Sequence, residues 1–266
     1  MRAIMSGIGK TIIKSNPILD SLQRGEPSIG TWISSASPVM AETQATAGWD
    51  WLLVDTEHSQ VGFESMVNCF RAAQLGGCAP LARVPWNDTI WIQRALDAGA
   101  MGLVIPMVSN TQQAEHAVSN TIYAPKGNRS FGGSRLAAYL EVDYAAWCQD
   151  NLAIIVQIET VEAVENLEEI VKVPGIRCYY VGPSDLLRSM DETSMAPGSA
   201  HDEAMQHIAS VCRANGMPAG CWANDAADVN RRLAQGFLFM NCGSDTAHAL
   251  ASAGRELQEV DRSIRP

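Results

Sequence analysis

Ala153-Ile154-Ile155-Val156-Gln157-Ile158-Glu159 is a short apolar run that ends on two polar side chains placed two residues apart, with Thr160 following. Because side chains alternate along an extended chain, Gln157 and Glu159 point to the same side of it. Similar β-rich runs flanked by turn residues recur at Ser28–Ser34, Trp51–Glu57, Ala79–Val84, Gly102–Val108, Cys178–Gly182, Pro218–Ala223 and Phe237–Gly243. Between them lie segments with helical spacing. Met66, Val67, Phe70 and Ala73 fall on one face, as do Val164, Leu167 and Val171, and likewise Met205, Ile208, Ala209 and Cys212. Alternation of β and α at this length implies a parallel sheet. Eight such units in about 250 residues fit a closed (β/α)8 TIM barrel better than a doubly wound open sheet. No break in composition marks a second domain, so residues 1–266 are expected to form a single α/β barrel.

Hydrophobic residues make up 47% of the 266 residues and charged ones 18%, the make-up of a globular chain rather than a disordered one. The formal net charge of −10 argues against nucleic acid or anionic lipid as a partner. Seven cysteines without a C-x-x-C pairing, several of them inside apolar runs, point to a reducing, cytoplasmic setting. No uncharged apolar run is long enough for a membrane span, and residues 1–20 read as a leader or N-terminal helix rather than a signal peptide. The interval from Ser109 to Asn151 holds Gly127-Asn128-Arg129-Ser130-Phe131-Gly132-Gly133, which predicts a large loop after the fourth strand, serving as a lid or interface. It lacks the order of a phosphate-binding loop.

In a barrel, chemistry gathers where the strands end. That filter collects Glu57 and His58 after the second strand, Arg83 on the third, Gln157 and Glu159 on the fifth, and Asp185 after the sixth. Glu159 and Asp185, on neighbouring strands, offer oxygen ligands for one hard divalent cation; the plainer reading is that each sits at the start of a helix. Arg83 within an apolar strand needs an anion, either a substrate or a salt-bridge partner in Asp55 or Glu57. His58, its ring oriented by Asp55 or Asp97, suits proton transfer through a bound water. Histidines 116, 201, 207 and 248 read as surface residues. Gly182-Pro183-Ser184-Asp185 opens a helix whose Ser184 and Asp185 amides suit a substrate carboxylate. The four lysines, Lys10, Lys14, Lys126 and Lys172, include none at a strand end, which disfavours a Schiff base.

These segments, in order from Gly30-Thr31-Trp32 through Val54-Asp55-Thr56-Glu57-His58, Ala82-Arg83-Val84-Pro85, Leu96-Asp97-Ala98-Gly99-Ala100, Val156-Gln157-Ile158-Glu159-Thr160 and Val181-Gly182-Pro183-Ser184-Asp185-Leu186 to Gly243-Ser244-Asp245, resemble the HpcH/HpaI aldolase family of metal-dependent class II pyruvate aldolases. The resemblance covers nearly the whole chain and implies the same barrel. It implies that Glu159 and Asp185 ligate Mg²⁺, Mn²⁺ or Co²⁺, with a 2-oxo acid such as pyruvate chelating the metal. Arg83 would neutralise the developing enolate, and His58, with Asp55 or Asp97, would move the proton of the aldehyde or hydroxyl oxygen. Gln157, Ser184, the Asp185 amide and Trp32 would contact the substrate, and Trp222 would narrow the pocket for the acceptor aldehyde. Two departures from the family pattern fall in the Gly127–Gly133 run and at Leu187-Arg188-Ser189-Met190-Asp191-Glu192.

Relatives of this kind also decarboxylate oxaloacetate or condense enolates, so an oxaloacetate decarboxylase is the same-site alternative. A non-catalytic 2-oxo-acid binding protein is the alternative of another class. The resemblance further implies a homo-oligomer, a hexamer, with residues 246–260 packed as a helix on a neighbouring subunit.

Overall fold

The computed structural model describes residues 13–265. Its centre is a closed parallel barrel of eight strands in chain order: β1 (Ser28–Ile33), β2 (Trp51–Asp55), β3 (Ala79–Arg83), β4 (Gly102–Ile105), β5 (Ala153–Ile158), β6 (Cys178–Val181), β7 (Ala219–Cys221) and β8 (Phe239–Ser244). All eight runs expected from the sequence are strands. β1 pairs with β8 to close the ring, with a register shift between Gly30 and Trp32. Closure demands close approach inside. Gly30 is glycine because a Cβ there would collide with the ring of Trp51, which stacks on Phe239 at 4.4 Å between ring centroids.

The helices are α1 (Pro17–Gln23), α2 (Pro38–Ala45), α3 (Phe63–Leu75), α4 (Thr89–Ala98), α5 (Thr111–Ser119), α6 (Tyr144–Asn151), α7 (Val161–Glu165), α8 (Leu167–Ile170), α9 (Pro183–Ser189), α10 (Ala200–Ala214), α11 (Ala226–Ala234) and α12 (Asp245–Glu259). Side-chain caps start many of them, for example Asp88 on α4, Thr160 on α7 and Ser199 on α10; such a cap is worth about 1 kcal/mol. Of the faces read as amphipathic, Met66, Phe70 and Ala73 on α3 are buried with Val67 half-buried, and Met205, Ile208, Ala209 and Cys212 on α10 are all buried. Buried Asn16 donates to the carbonyls of Met101 and Asn151, which fastens the start of α1 at the N-terminal end of the strands. Of the segment read as a leader or N-terminal helix, residues 1–12 lie outside the described residues and Pro17–Gln23 is helical. No described helix is long and apolar enough to cross a membrane.

Two expectations are corrected. The interval 109–151 is not one loop: it carries α5, a 3-10 turn at Arg135–Tyr139 and α6. Its irregular part packs on the last turn of α4, where Arg129 pairs with Asp97, the Ser134 hydroxyl donates to the Leu96 carbonyl and Arg135 Nε to that of Ala98. That turn leads into β4, so the Gly127–Gly133 run lies at the end of the barrel remote from the mouth and is no lid. His201 is fully buried, its Nε2 at 2.9 Å from the Pro183 carbonyl oxygen, rather than at the surface.

Candidate active site

Strand register builds the first part of the site. Asp55 and Arg83 are directly paired at the ends of β2 and β3, so their side chains meet in a two-pronged contact. Arg83 Nε donates to Asp55 Oδ1 at 2.9 Å and Nη2 to Oδ2 at 2.8 Å, while Nη1 lies 3.0 Å from Glu57 Oε2. Arg83 is 7% exposed and its guanidinium lies over the Trp32 ring at 4.3 Å, a geometry worth about 2 kcal/mol when desolvated. Burial pulls its pKa down, but the bonds to Asp55 and the charges of Asp55 and Glu57 outweigh that and hold it above the usual value. The salt-bridge reading of Arg83 therefore holds with both acids.

Across the mouth, Glu159 follows β5 with only 3% exposure. Its Oε1 accepts from the Met107 amide at 2.8 Å and its Oε2 from Gln157 Nε2 at 2.6 Å. Met107 adopts φ +56°, a left-handed conformation uncommon for a side chain of this size, and its N–H bonds that carboxylate. Burial pushes the Glu159 pKa up; the Met107 bond offsets part of this, Asp185 and Glu57 push it further, and it reaches about 7. Glu57 is likewise raised, first by burial and against the pull of Arg83 and His58. The helix that follows is capped by Thr160, not by Glu159. Asp185 does stand in the first turn of α9, behind Gly182, which caps without a side chain.

Trp32, Asp55, His58, Arg83, Gln157, Ser184, Asp185 and Trp222 line one cavity of about 240 Å³. Ser34, Tyr180 and Ser244 line it too and were not singled out from the sequence. Trp32, buried with its indole N–H unpartnered among the described residues, meets Trp222 edge to face at 5.0 Å. The i, i+2 spacing of Trp32 and Ser34, like that of Asp55 and Glu57, is the signal that finds such residues at strand ends.

Orientation of His58 is corrected. Its exposed ring pairs with Glu57, Nε2 to Oε1 at 3.7 Å, and with neither Asp55 nor Asp97. Asp55 is committed to Arg83 and to the amides of Glu57 and His58. Asp97 lies on the last turn of α4 and pairs with buried Arg129 at 2.7 Å.

The chain matches the HpcH/HpaI aldolase/citrate lyase family model over residues 28–252. It is 37% identical over 239 residues to the 2-dehydro-3,6-dideoxy-6-sulfogluconate aldolase of Pseudomonas putida, covering 89% of this chain and 93% of that one. It is also 37% identical over 239 residues to the 2-keto-3-deoxy-L-rhamnonate aldolase of Salmonella schwarzengrund (strain CVM19633), covering 87% and 88%. The crystal structure of a HpcH/HpaI aldolase/citrate lyase family protein from Burkholderia cenocepacia J2315 superposes with a TM-score of 0.87 at 31% identity, covering 92% of this chain and 99% of that one. A carbon–carbon lyase built on a (β/α)8 barrel, the chain belongs to the HpcH/HpaI aldolase/citrate lyase family.

Proposed function

We propose that the protein is a metal-dependent class II pyruvate aldolase, which cleaves or forms the bond between C3 of a pyruvate enolate and the carbonyl carbon of an aldehyde. The observation that carries this reading is the buried Arg83, held by Asp55 and Glu57, which shares one small cavity with Asp185 and with Gln157, whose amide donates to the Glu159 carboxylate.

The donor set suits a divalent cation. Among the described residues no three His, Cys, Asp or Glu side chains converge, but Mg²⁺ and Mn²⁺ are commonly held by one or two carboxylates, with substrate and water supplying the rest. Glu159 is crowded by other acids, a situation that a cation relieves, and Gln157 Oε1 is buried without a partner among the described residues. Glu159 and Asp185 would hold Mg²⁺, Mn²⁺ or Co²⁺, with Gln157 supporting Glu159. When bound, such an ion polarises the ketone of the 2-oxo acid as a Lewis acid.

This chain's residues do the rest. In cleavage, the C4 hydroxyl gives up its proton by way of water to His58, which Glu57 orients. The C3–C4 bond then breaks, the aldehyde departs, and the electron pair passes into C2 and C3 as the enolate. Arg83 stabilises the negative charge on the C2 oxygen, and a proton from water converts the enolate to pyruvate. The first-turn amides of Ser184 and Asp185 take the substrate carboxylate, and Trp32 and Trp222 wall the acceptor side.

We also infer a homo-oligomer, a hexamer. α12 buries only Asp245 and leaves Leu250 and Leu257 exposed, a surface suited to packing of residues 246–260 on a neighbour. The seven cysteines, all free thiols, fit a reducing cytoplasm. The deciding experiment is exchange of the pyruvate methyl protons in D2O, followed by NMR on chelator-treated protein before and after Mg²⁺, Mn²⁺ or Co²⁺ is restored. Exchange that returns with metal is expected; folded protein that exchanges under no metal overturns the reading.

A further inference from the structure

On the far side of Trp222 the reaction cavity adjoins a second one of about 500 Å³, and the two share Pro183, Ser184 and Trp222 as a common wall. Trp222 is fixed in that wall. Its indole N–H donates to Asn224 Oδ1 at 2.9 Å, and its ring sits edge-on to Trp32. Beyond it the second cavity presents Asn224, Asp225, Asp228, Arg231 and Arg232.

The charges there are already neutralised. Arg231 lies 2.6 Å from Asp228 and 3.4 Å from Asp202, and Arg232 lies 3.2 Å from Asp202. No surplus cation remains to favour a phosphate or sulfonate. What the lining offers is an amide, carboxylate oxygens and guanidinium N–H groups beside an aromatic wall. A hydroxyl group, at once donor and acceptor, is the ligand that such a mixed set satisfies. Arg232 Nε is buried, lies 3.8 Å from Asp228 Oδ1 and makes no hydrogen bond among the described residues. The reaction cavity, about 240 Å³, also falls below the roughly 300–1,000 Å³ of a typical ligand pocket, so a longer aldehyde needs room elsewhere.

We propose that this second cavity binds the tail of the acceptor aldehyde, and that the tail is an uncharged, polyhydroxylated chain read by Asn224, Asp228 and Arg231. The inference rests on the aldolase reading above.

The test compares kcat/KM for four aldehydes with pyruvate as donor: erythrose, butanal of equal carbon number without the hydroxyls, glyceraldehyde 3-phosphate, and acetaldehyde as the reference without a tail. Arg231→Met is expected to lower the erythrose-to-butanal ratio at least tenfold. Ala227→Trp, which fills the cavity from an exposed position on α11 and leaves the ion pairs alone, is expected to lower the value for erythrose at least tenfold more than that for acetaldehyde. Equal losses on all aldehydes, or unmoved ratios, overturn the subsite. A wild-type preference for glyceraldehyde 3-phosphate that Arg231→Met removes overturns the uncharged class. Failure of both pyruvate exchange and aldol turnover in the wild type overturns the aldolase reading, and this inference falls with it; intact exchange and acetaldehyde turnover with unmoved ratios overturn the subsite alone.

Discussion

Arg83 and Asp55 are joined by two parallel hydrogen bonds of 2.9 and 2.8 Å across adjacent strands, and this pairing spends both oxygens of Asp55 on the guanidinium. Arg83 is thereby held in one orientation beside the cavity. Arg83→Lys keeps the charge but cannot form the fork. We expect turnover and pyruvate exchange to fall about 10²–10³-fold, the loss typical of one oxyanion-stabilising group. Lower thermal stability with full turnover would leave the pair a structural role only.

In the proposed mechanism His58 acts only where an alkoxide proton must move. His58→Ala should therefore depress aldol cleavage more than decarboxylation of oxaloacetate, which releases CO2 without that step. Glu57→Gln should shift the pH profile of the aldol reaction, because Glu57 is the carboxylate paired with the His58 ring. Equal losses of the two reactions in His58→Ala would remove the assignment.

Gly182 leaves room for Glu159. A Cβ at position 182 would collide with Glu159 Oε2 and crowd Gln157 Nε2, 3.1 Å away. Gly182→Ala should keep the barrel's circular dichroism yet weaken divalent-metal binding about 10–100-fold, as loss of a ligand's support commonly does. Glu159→Ala and Asp185→Ala should abolish metal-dependent turnover. Metal titration by calorimetry decides, and unchanged affinity in Gly182→Ala would separate Glu159 from the metal.

The metal-free protein should lose stability as pH rises. Glu159, at about 7 in the fold against 4.5 ordinarily, keeps its proton between those values while the unfolded chain has released its own. Its contribution is whole below about pH 4.5 and lost by pH 7, on the order of 3 kcal/mol. Urea unfolding of chelator-treated protein should show this decline, and Glu159→Gln should flatten it. Parallel curves for the two proteins would contradict the buried, crowded carboxylate.

Strands were the most legible feature, since each of the eight is a short apolar run flanked by turn residues; their alternation with helices implied a parallel sheet, and eight units in about 250 residues favoured closure. Arg83, Gln157, Glu159 and Asp185 were found by asking what polar side chains do at strand ends. Two of the misreadings share one cause: neighbourhood in sequence does not say which end of a helix faces the mouth. Asp97 was named for His58 and sits with Arg129 at the opposite end of the barrel. Gly127–Gly133 showed its turn formers but not its direction. His201 looked polar and exposed, yet α10 turns it inward onto the Pro183 carbonyl. Glu57 was seen at its strand end and as a partner for Arg83, but not as the residue that also pairs with His58.

Pairing of β1 with β8 sets an order of events during synthesis. The first strand to leave the ribosome waits for the last, with more than two hundred residues made in between. Until Phe239–Ser244 emerges, the nascent sheet has two bare edges, and Trp32 and Ser34 stand apart from Ser244, their neighbour across the finished cavity. A half-made chain is therefore both sticky, through those edges, and inert, and both conditions end together when the ring shuts.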